Sequence, residues 1–307
     1  MKKLFTLLAL TITFSMNAQM DDNSHPTNNS AGTYSVAMGY ETTAGVDPTG
    51  NIPAEVYYAT SMGWQTIASG LHSTAMVRTG LASGMMSTKT GANAKASGTA
   101  STAMGRSTAS GDQSTAMGRS TASGSKSTSM GWDTIASDYG SWVIGQYNSS
   151  GSSATSATSF STSNTAFVIG NGTRGATSDA FKVMFNGDTT VSNDLTISGD
   201  LVVSSDARLK SNIVSLGSTL SRLLLIDGKS YTMLKDGKQK IGVLAQDIQK
   251  VFPELVTTDD KDMLAVNYQG LIPVLINTLK EQQSEIDTYR NVVSELKEMV
   301  NQLISSK

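Results

Sequence analysis

Ser204-Ser205-Asp206-Ala207-Arg208-Leu209-Lys210-Ser211-Asn212-Ile213 divides the chain in two, because composition and periodicity both change across it. On its N-terminal side Gly, Ser, Thr and Ala crowd residues 30 to 180, so a conventional apolar core is not expected there. On its C-terminal side the pattern is that of an ordinary α+β domain. Leu216, Leu220 and Leu223 recur at helical spacing, Lys229 to Leu234 reads as a strand, and Asp236-Gly237 as a turn. Ile241 to Leu244 reads as a buried strand, and Ala245 to Phe252 as a short helix ended by Pro253.

From Leu271 the pattern becomes a heptad. With Ile272 at position a, the a-positions are Ile272, Leu279, Ile286, Val293 and Val300, and the d-positions are Leu275, Gln282, Tyr289, Leu296 and Leu303. All but Gln282 are apolar or aromatic. A seam this narrow, kept over more than four heptads, predicts a left-handed coiled coil over residues 272–303, about 48 Å long at 1.5 Å per residue. A helix packed on its own domain would need a wider apolar stripe.

The whole chain has 307 residues, of which 38% are apolar, 6% aromatic and 16% charged. A formal net charge of −2, with no basic run beyond the first three residues, excludes nucleic acid and anionic membrane as expected partners. Met1-Lys2-Lys3, the apolar run Leu4 to Phe14 and Ser15-Met16-Asn17-Ala18-Gln19 read as a secretory signal peptide, residues 1–18, cut after Ala18. That run is about half of the roughly 20 residues a membrane span needs. The expected location is therefore extracellular or at the cell surface, with no membrane span. There is no cysteine, and His25 and His72 are the only imidazoles. No disulfide, metal or cofactor is expected.

Residues 19–145 carry an internal repeat. Ser35-Val36-Ala37-Met38-Gly39, Thr60-Ser61-Met62-Gly63, Ser73-Thr74-Ala75-Met76, Ser101-Thr102-Ala103-Met104-Gly105, Ser114-Thr115-Ala116-Met117-Gly118 and Ser127-Thr128-Ser129-Met130-Gly131 share one phase. Ala-Ser-Gly elements ending at Gly70, Gly84, Gly98, Gly111 and Gly124 share another, stepping by 14, 14, 13 and 13 residues. A flexible linker has no reason to hold two motifs in register, so the spacing predicts stacked short strands, a β-roll or β-solenoid. Ala and Met are expected to face inward, Ser and Thr outward. So little apolar surface per repeat makes lateral association of several chains the natural remedy. Trp64, Trp132, Trp142 and Tyr139 read as fillers or caps of the roll's end or as an aromatic contact surface for a ligand such as a glycan.

Residues 146–204 read as a linker and a β-stranded stalk: Ala166 to Gly172 as a strand entering a turn, Asp179 to Phe185 leading into the hairpin signal Asn186-Gly187, and Leu195 to Val203 as an alternating strand.

The repeats resemble the head of trimeric autotransporter adhesins, which form trimers of β-rolls. Those adhesins end in a membrane-anchoring β-barrel, and nothing after residue 205 alternates over enough strands to make one. The dividing stretch resembles the start of the self-cleaving C-terminal chaperone domain of endosialidases and related phage tail spikes. Ile241-Gly242-Val243-Leu244-Ala245-Gln246-Asp247-Ile248, Phe252-Pro253-Glu254-Leu255-Val256 and Val266-Asn267-Tyr268 fall in that family's order. The resemblance covers about the last third of the chain, residues 205–307, and reinforces a β-prism stalk before it. It implies a homotrimer, with Ser205 as nucleophile, Lys210 as base and Ser204-Ser205 as the bond cut, a single-turnover serine autopeptidase acting in cis. A Ser–Lys pair is chemically able to do this, but five residues do not bring two side chains together on a regular strand or helix. The contact is expected to depend on tertiary or trimer structure. Asp206, Arg208 and Asn212 also match the motif, and Gln246 and Tyr268 read as packing or trimer contacts.

The functional expectation is an exported trimeric adhesin-like fibre whose head binds a glycan or protein receptor and whose C-terminal domain assembles the trimer and then cuts itself off. The alternative is a tail-spike-like glycan hydrolase on a trimeric β-helical head, with acids drawn from Glu41, Glu55, Asp112, Asp133 and Asp138. Convergence of such acids within roughly 5 to 9.5 Å would favour the hydrolase.

Overall fold

The computed structural model describes residues 29, 30, 32, 34–46, 58–259 and 262–306. The expected signal peptide, His25 and Glu55 lie outside the described residues. The chain divides into two units, Met1–Asp200 and Leu201–Lys307.

In the first unit the repeats are rungs of a β-roll. Thr60–Ala68, Thr74–Ala82, Thr88–Ala96, Thr102–Gly105 with Thr108–Ala109, Thr115–Ala122, Thr128–Ala136 and Trp142–Gln146 pair in parallel, each with the next. Identical residues stack: Met104 on Met117 on Met130, and Ala96 on Ala109 on Ala122 on Ala136. Such stacking is what a fixed repeat step produces when every rung has the same shape.

The interior is lined by small side chains. Ala37, Ala75, Ala103 and Ala116 from one limb of the rung, and Ala44, Ala68, Ala82, Ala96, Ala109, Ala122 and Ala136 from the other, are fully buried. Ser73, Ser87, Ser101, Ser114 and Ser127 are buried beside them. The methionines Met38, Met62, Met76, Met104, Met117 and Met130 are half-buried on the opposite face. Met outside and Ser inside reverse part of the expectation, for a simple reason: side chains alternate along a strand, so Ala75 and Met76 cannot share a face. The close stacking also demands glycine. A Cβ on Gly98 would sit 2.0 Å from the carbonyl oxygen of Gly111 in the next rung.

Inside the bends, interior side chains supply hydrogen bonds the backbone cannot make for itself. Ser107 Oγ donates to Met104 O (3.0 Å) and Ala116 O (2.9 Å), and Ser61 Oγ donates to Thr66 O (2.8 Å). One rung solves this with a charge. Lys89 replaces the usual Ala or Ser, is fully buried, and its Nζ donates to Met76 O (3.1 Å) and Arg78 O (2.9 Å). Gly80 in the neighbouring rung leaves room for it, since a Cβ there would lie 2.6 Å from Lys89 Cε. Burial lowers the lysine's pKa to about 8.

The roll continues into the segment the sequence reads as linker and stalk. Thr165–Asn171 adds in parallel to Trp142–Gln146, and Asp179–Met184 and Thr189–Val191 follow as an antiparallel hairpin whose turn has Gly187 at φ 94°. The buried Asp138 closes this end by accepting from the N–H groups of Thr155 (2.6 Å) and Thr165 (2.8 Å). Leu195–Val203 carries no strand, and Leu195, Leu201, Val202 and Val203 are exposed. Its alternation finds no partner strand among the described residues.

The second unit has a small core of Ile248, Phe252, Leu255 and Val274, with Leu223, Ile226, Val243 and Leu271 packed against it. Two short helices, Leu220–Leu223 and Ala245–Val251, two two-stranded sheets and the long helix Leu271–Ser305 surround that core. Glu281 of the long helix ties the Leu220–Leu223 helix to it, accepting from Thr219 N (2.5 Å), Ser218 Oγ (2.7 Å) and Leu220 N (3.1 Å); these bonds hold its carboxyl below the usual range. Ile241, expected to be buried, lies at the end of the strand Gln239–Gly242 and is 86% exposed. The heptad seam is equally bare: Ile272, Leu275, Leu279, Ile286, Tyr289, Val293, Leu296, Val300 and Leu303 are all exposed. The helix docks on its domain through Val274 and Thr278 instead. No helix among the described residues is long and apolar enough to cross a membrane.

Candidate functional site

At the junction, Asp206 starts a single 3-10 turn, Ala207–Leu209. Its carboxylate accepts from Arg208 N (2.8 Å) and is gripped by the Arg208 guanidinium through Nε (3.0 Å) and a terminal nitrogen (2.7 Å). The side-chain bond to Arg208 lowers the Asp206 pKa and raises that of Arg208. Lys210 follows in extended geometry, with its N–H on Ala207 O (3.1 Å).

This turn folds the chain back far enough for Lys210 Nζ to lie 2.7 Å from Ser205 Oγ and 3.1 Å from Ser205 O. The two expected catalytic residues are thus brought together by local structure. The expectation that tertiary or trimer contacts would be needed to pair them is corrected, because a one-turn reversal spans the five residues. The carbonyl that Lys210 touches is that of Ser205, on the far side of the Ser204–Ser205 bond. Ser204, Ser205 and Lys210 are all exposed in the single chain. A lysine acts as a base only when desolvation lowers its affinity for the proton, so base chemistry here calls for something to cover the pair.

Of the other motif residues, Asn212 lies beside the pair, and Tyr268 and Gln246 lie elsewhere in the second unit. Asn212 takes a left-handed φ of 52°, turning the chain after Lys210. Tyr268 Oη accepts from Val243 N (3.2 Å), linking two parts of the second unit, while Gln246 is exposed on the Ala245–Val251 helix.

In the head the described acids are each committed to a different neighbour. Glu41 accepts from Gln65 (2.6 Å), Asp112 from Thr99 N (2.9 Å), Asp133 pairs with Arg119 (2.7 Å), and Asp138 binds backbone N–H groups. Each acid is thus held by its own partner, and no group of three or more His, Asp or Glu side chains that could hold a metal ion occurs among the described residues. Trp64, Trp132 and Trp142 are about half exposed on the outside of the roll, so they neither fill nor cap it. A small-residue interior has no room for an indole. Two features were missed by sequence reasoning: the buried Lys89 and an outer recess beside Arg106 and Arg119. The change in glycine step from 14 to 13 was the one signal that marked the second.

Residues 205–257 match the family described as chaperone of endosialidase, and residues 57–76, 82–108 and 106–121 match the YadA head domain repeat. A comparison with curated proteins found no match. The chain joins a head of YadA-type repeats to an endosialidase-type chaperone segment, an arrangement that supports a trimeric adhesin-like protein with a C-terminal assembly chaperone.

Proposed function

We propose that the chain is exported, assembles as a trimer through its C-terminal domain, and then releases that domain by cutting its own Ser204–Ser205 bond. The observation that carries the cleavage step is the 2.7 Å contact between Lys210 Nζ and Ser205 Oγ. With the amine neutral, the hydroxyl donates to it, and Oγ attacks the carbonyl carbon of Ser204. The bond from that carbon to the Ser205 nitrogen breaks, the nitrogen takes the proton from Lys210, and Ser204 is left as an ester on Oγ. Water then hydrolyses the ester to the Ser204 carboxylate and restores the hydroxyl. Because nucleophile and target belong to adjacent residues, the step gains the advantage of an intramolecular reaction, up to several kcal/mol of barrier.

The bare heptad seam and the exposed junction support an order of events: assembly first, cleavage second. Partner chains that cover the seam also supply the desolvation that a lysine base requires. The repeats support a surface or extracellular setting, in which the head is a binding surface and the second unit an assembly device.

Expression of the whole chain should yield two pieces, one ending at Ser204 and one beginning at Ser205. Ser205→Ala and Lys210→Ala should each leave it uncut while the trimer still forms. A fragment whose first residue is not Ser205, or continued cutting of Ser205→Ala, would assign the cut to an outside protease.

A further inference from the structure

Most bends of the roll contain a residue that two consecutive bends lack. Trp132 pairs with Arg119 and Thr134 with Ser120, so Asp133 has no counterpart in the rung below. That rung is matched in length by the one before it, with Gly105 on Gly118 and Thr108 on Thr121. Both shortened bends read Gly-Arg-Ser-Thr, residues 105–108 and 118–121. Their serines turn inward to bond the bend carbonyls, Ser120 Oγ reaching Met117 O and Ser129 O at 2.9 Å. On the outside, two short bends below a full one leave a recess of about 470 Å³. This lies within the roughly 300–1,000 Å³ range of ligand sites.

The walls of this recess set a charged pair and several hydroxyls beside apolar surface, and they are partly prearranged. Arg119 is fixed, its Nε 2.7 Å from Asp133 and its guanidinium 5.1 Å from the centre of the Trp132 ring. Trp132 donates from its indole nitrogen to Tyr147 Oη (3.0 Å), which leaves the phenol proton to be donated elsewhere. Thr108 and Thr121 line the recess beside Arg106, whose side chain makes no ion pair or hydrogen bond among the described residues. The carboxylate in the recess is already committed to Arg119. One guanidinium's worth of positive charge is left without a partner.

We propose that this recess binds a carboxylated oligosaccharide, with Arg106 pairing the sugar carboxylate, the threonine and tyrosine hydroxyls bonding sugar hydroxyls, and the half-exposed Trp132 at the rim offering a flat apolar face to a pyranose ring. An arginine fork matches a carboxylate in two hydrogen bonds at once. The proposal rests on the adhesin-like reading of the head and names the ligand class that reading leaves open.

The test uses the full-length chain against immobilised tetrasaccharides of galacturonic and glucuronic acid, their carboxyl-reduced neutral counterparts, and tetraglutamate, with light scattering run in parallel. The wild-type chain should bind an acidic tetrasaccharide at least about tenfold more tightly than its reduced counterpart, and Arg106→Gln should erase that difference without changing the oligomer mass. Equal binding of the acidic and reduced sugars, no saturable binding of either acid, or equally tight binding of tetraglutamate would overturn the proposal. If Arg106→Gln instead splits the oligomer, the recess is a contact between copies, and the proposal falls while the adhesin-like reading stands. A wild-type monomer that binds the acidic sugar would do the reverse.

Discussion

The head and the C-terminal domain bury their side chains in opposite ways. In the roll each rung is covered by the next, so alanine and serine suffice for an interior, and stability accrues rung by rung. The C-terminal domain has larger apolar residues but leaves most of them in solvent: the seam from Ile272 to Leu303, Ile241 at 86% and Leu234 fully exposed. An exposed apolar surface of that extent marks an interaction site. Each region therefore draws its order from a different source. The head's contacts lie mostly along its own chain, with the methionine face left for neighbours, whereas the C-terminal domain presents its apolar seam uncovered.

The contrast breaks most sharply if rung stacking is disturbed. In Gly98→Val the new Cβ would stand 2.0 Å from Gly111 O, and backbone cannot yield there without parting two rungs. A loss of about 4 kcal/mol or more is expected, at the upper end of single substitutions. Circular dichroism and limited proteolysis should show the roll opened from this rung while the helical signal of Leu271–Ser305 persists. A head that melts as the wild type does would mean the rungs are not packed this closely.

Next in size is the seam. Leu296→Pro removes a helix hydrogen bond and kinks the helix, at about 3 kcal/mol or more. Light scattering should show the trimer lost, and cleavage at Ser204–Ser205 should stop although Ser205 and Lys210 are untouched. Cutting by a monomeric Leu296→Pro chain would show that the dyad works without cover from partners.

The third test asks whether the head carries an internal charge. Lys89 has a pKa of about 8 in the fold against 10.5 for an ordinary lysine. Below pH 8 both states hold the proton, and Lys89 gives stability no dependence on pH. Between pH 8 and 10.5 the unfolded chain holds more protons than the folded one, so stability rises with pH, by up to about 3 kcal/mol for a shift of this size. Thermal melts of the head should move upward across that window. Lys89→Met, which keeps the bulk and removes the charge, should flatten the rise relative to the wild type, because the other titrating groups are common to both chains. An unchanged slope would mean Lys89 reaches water.

Much of this architecture was legible in the repeat step and the heptad, since both are periodic signals set by backbone geometry. The errors have local causes. Hydrophobicity alone puts Ala75 and Met76 on one face, although neighbours on a strand point opposite ways. Ser205 and Lys210 lie five apart, a spacing no regular element unites, and it took the capped turn at Asp206 to join them. Leu195 to Val203 alternates like a strand, but a strand needs a partner, and the described residues offer it none. The shortened bends at Arg106 and Arg119 were visible as a step of 13, yet the recess they leave depends on how Asp133 and Tyr147 project from the rungs above.

The smallest effect distinguishes serines that look alike. Ser101 and Ser107 are both buried in the roll, but Ser107 Oγ donates to two carbonyls, whereas Ser101 Oγ, like those of Ser73, Ser87 and Ser114, has no hydrogen-bond partner among the described residues. Removing a hydroxyl that bonds buried carbonyls leaves them unsatisfied, at about 1–3 kcal/mol. Removing one that bonds nothing abolishes a buried polar group and opens a gap smaller than a methyl group, so the two terms nearly cancel. Ser107→Ala should therefore lower the head's melting temperature, while Ser101→Ala should leave it unchanged or raise it by up to about 1 kcal/mol of stability. Equal losses at both positions would show that the hydroxyl of Ser101 is bonded after all. The interior of the roll would then be a fully satisfied polar lattice, set further from the C-terminal core of Ile248 and Phe252 than the contrast drawn above.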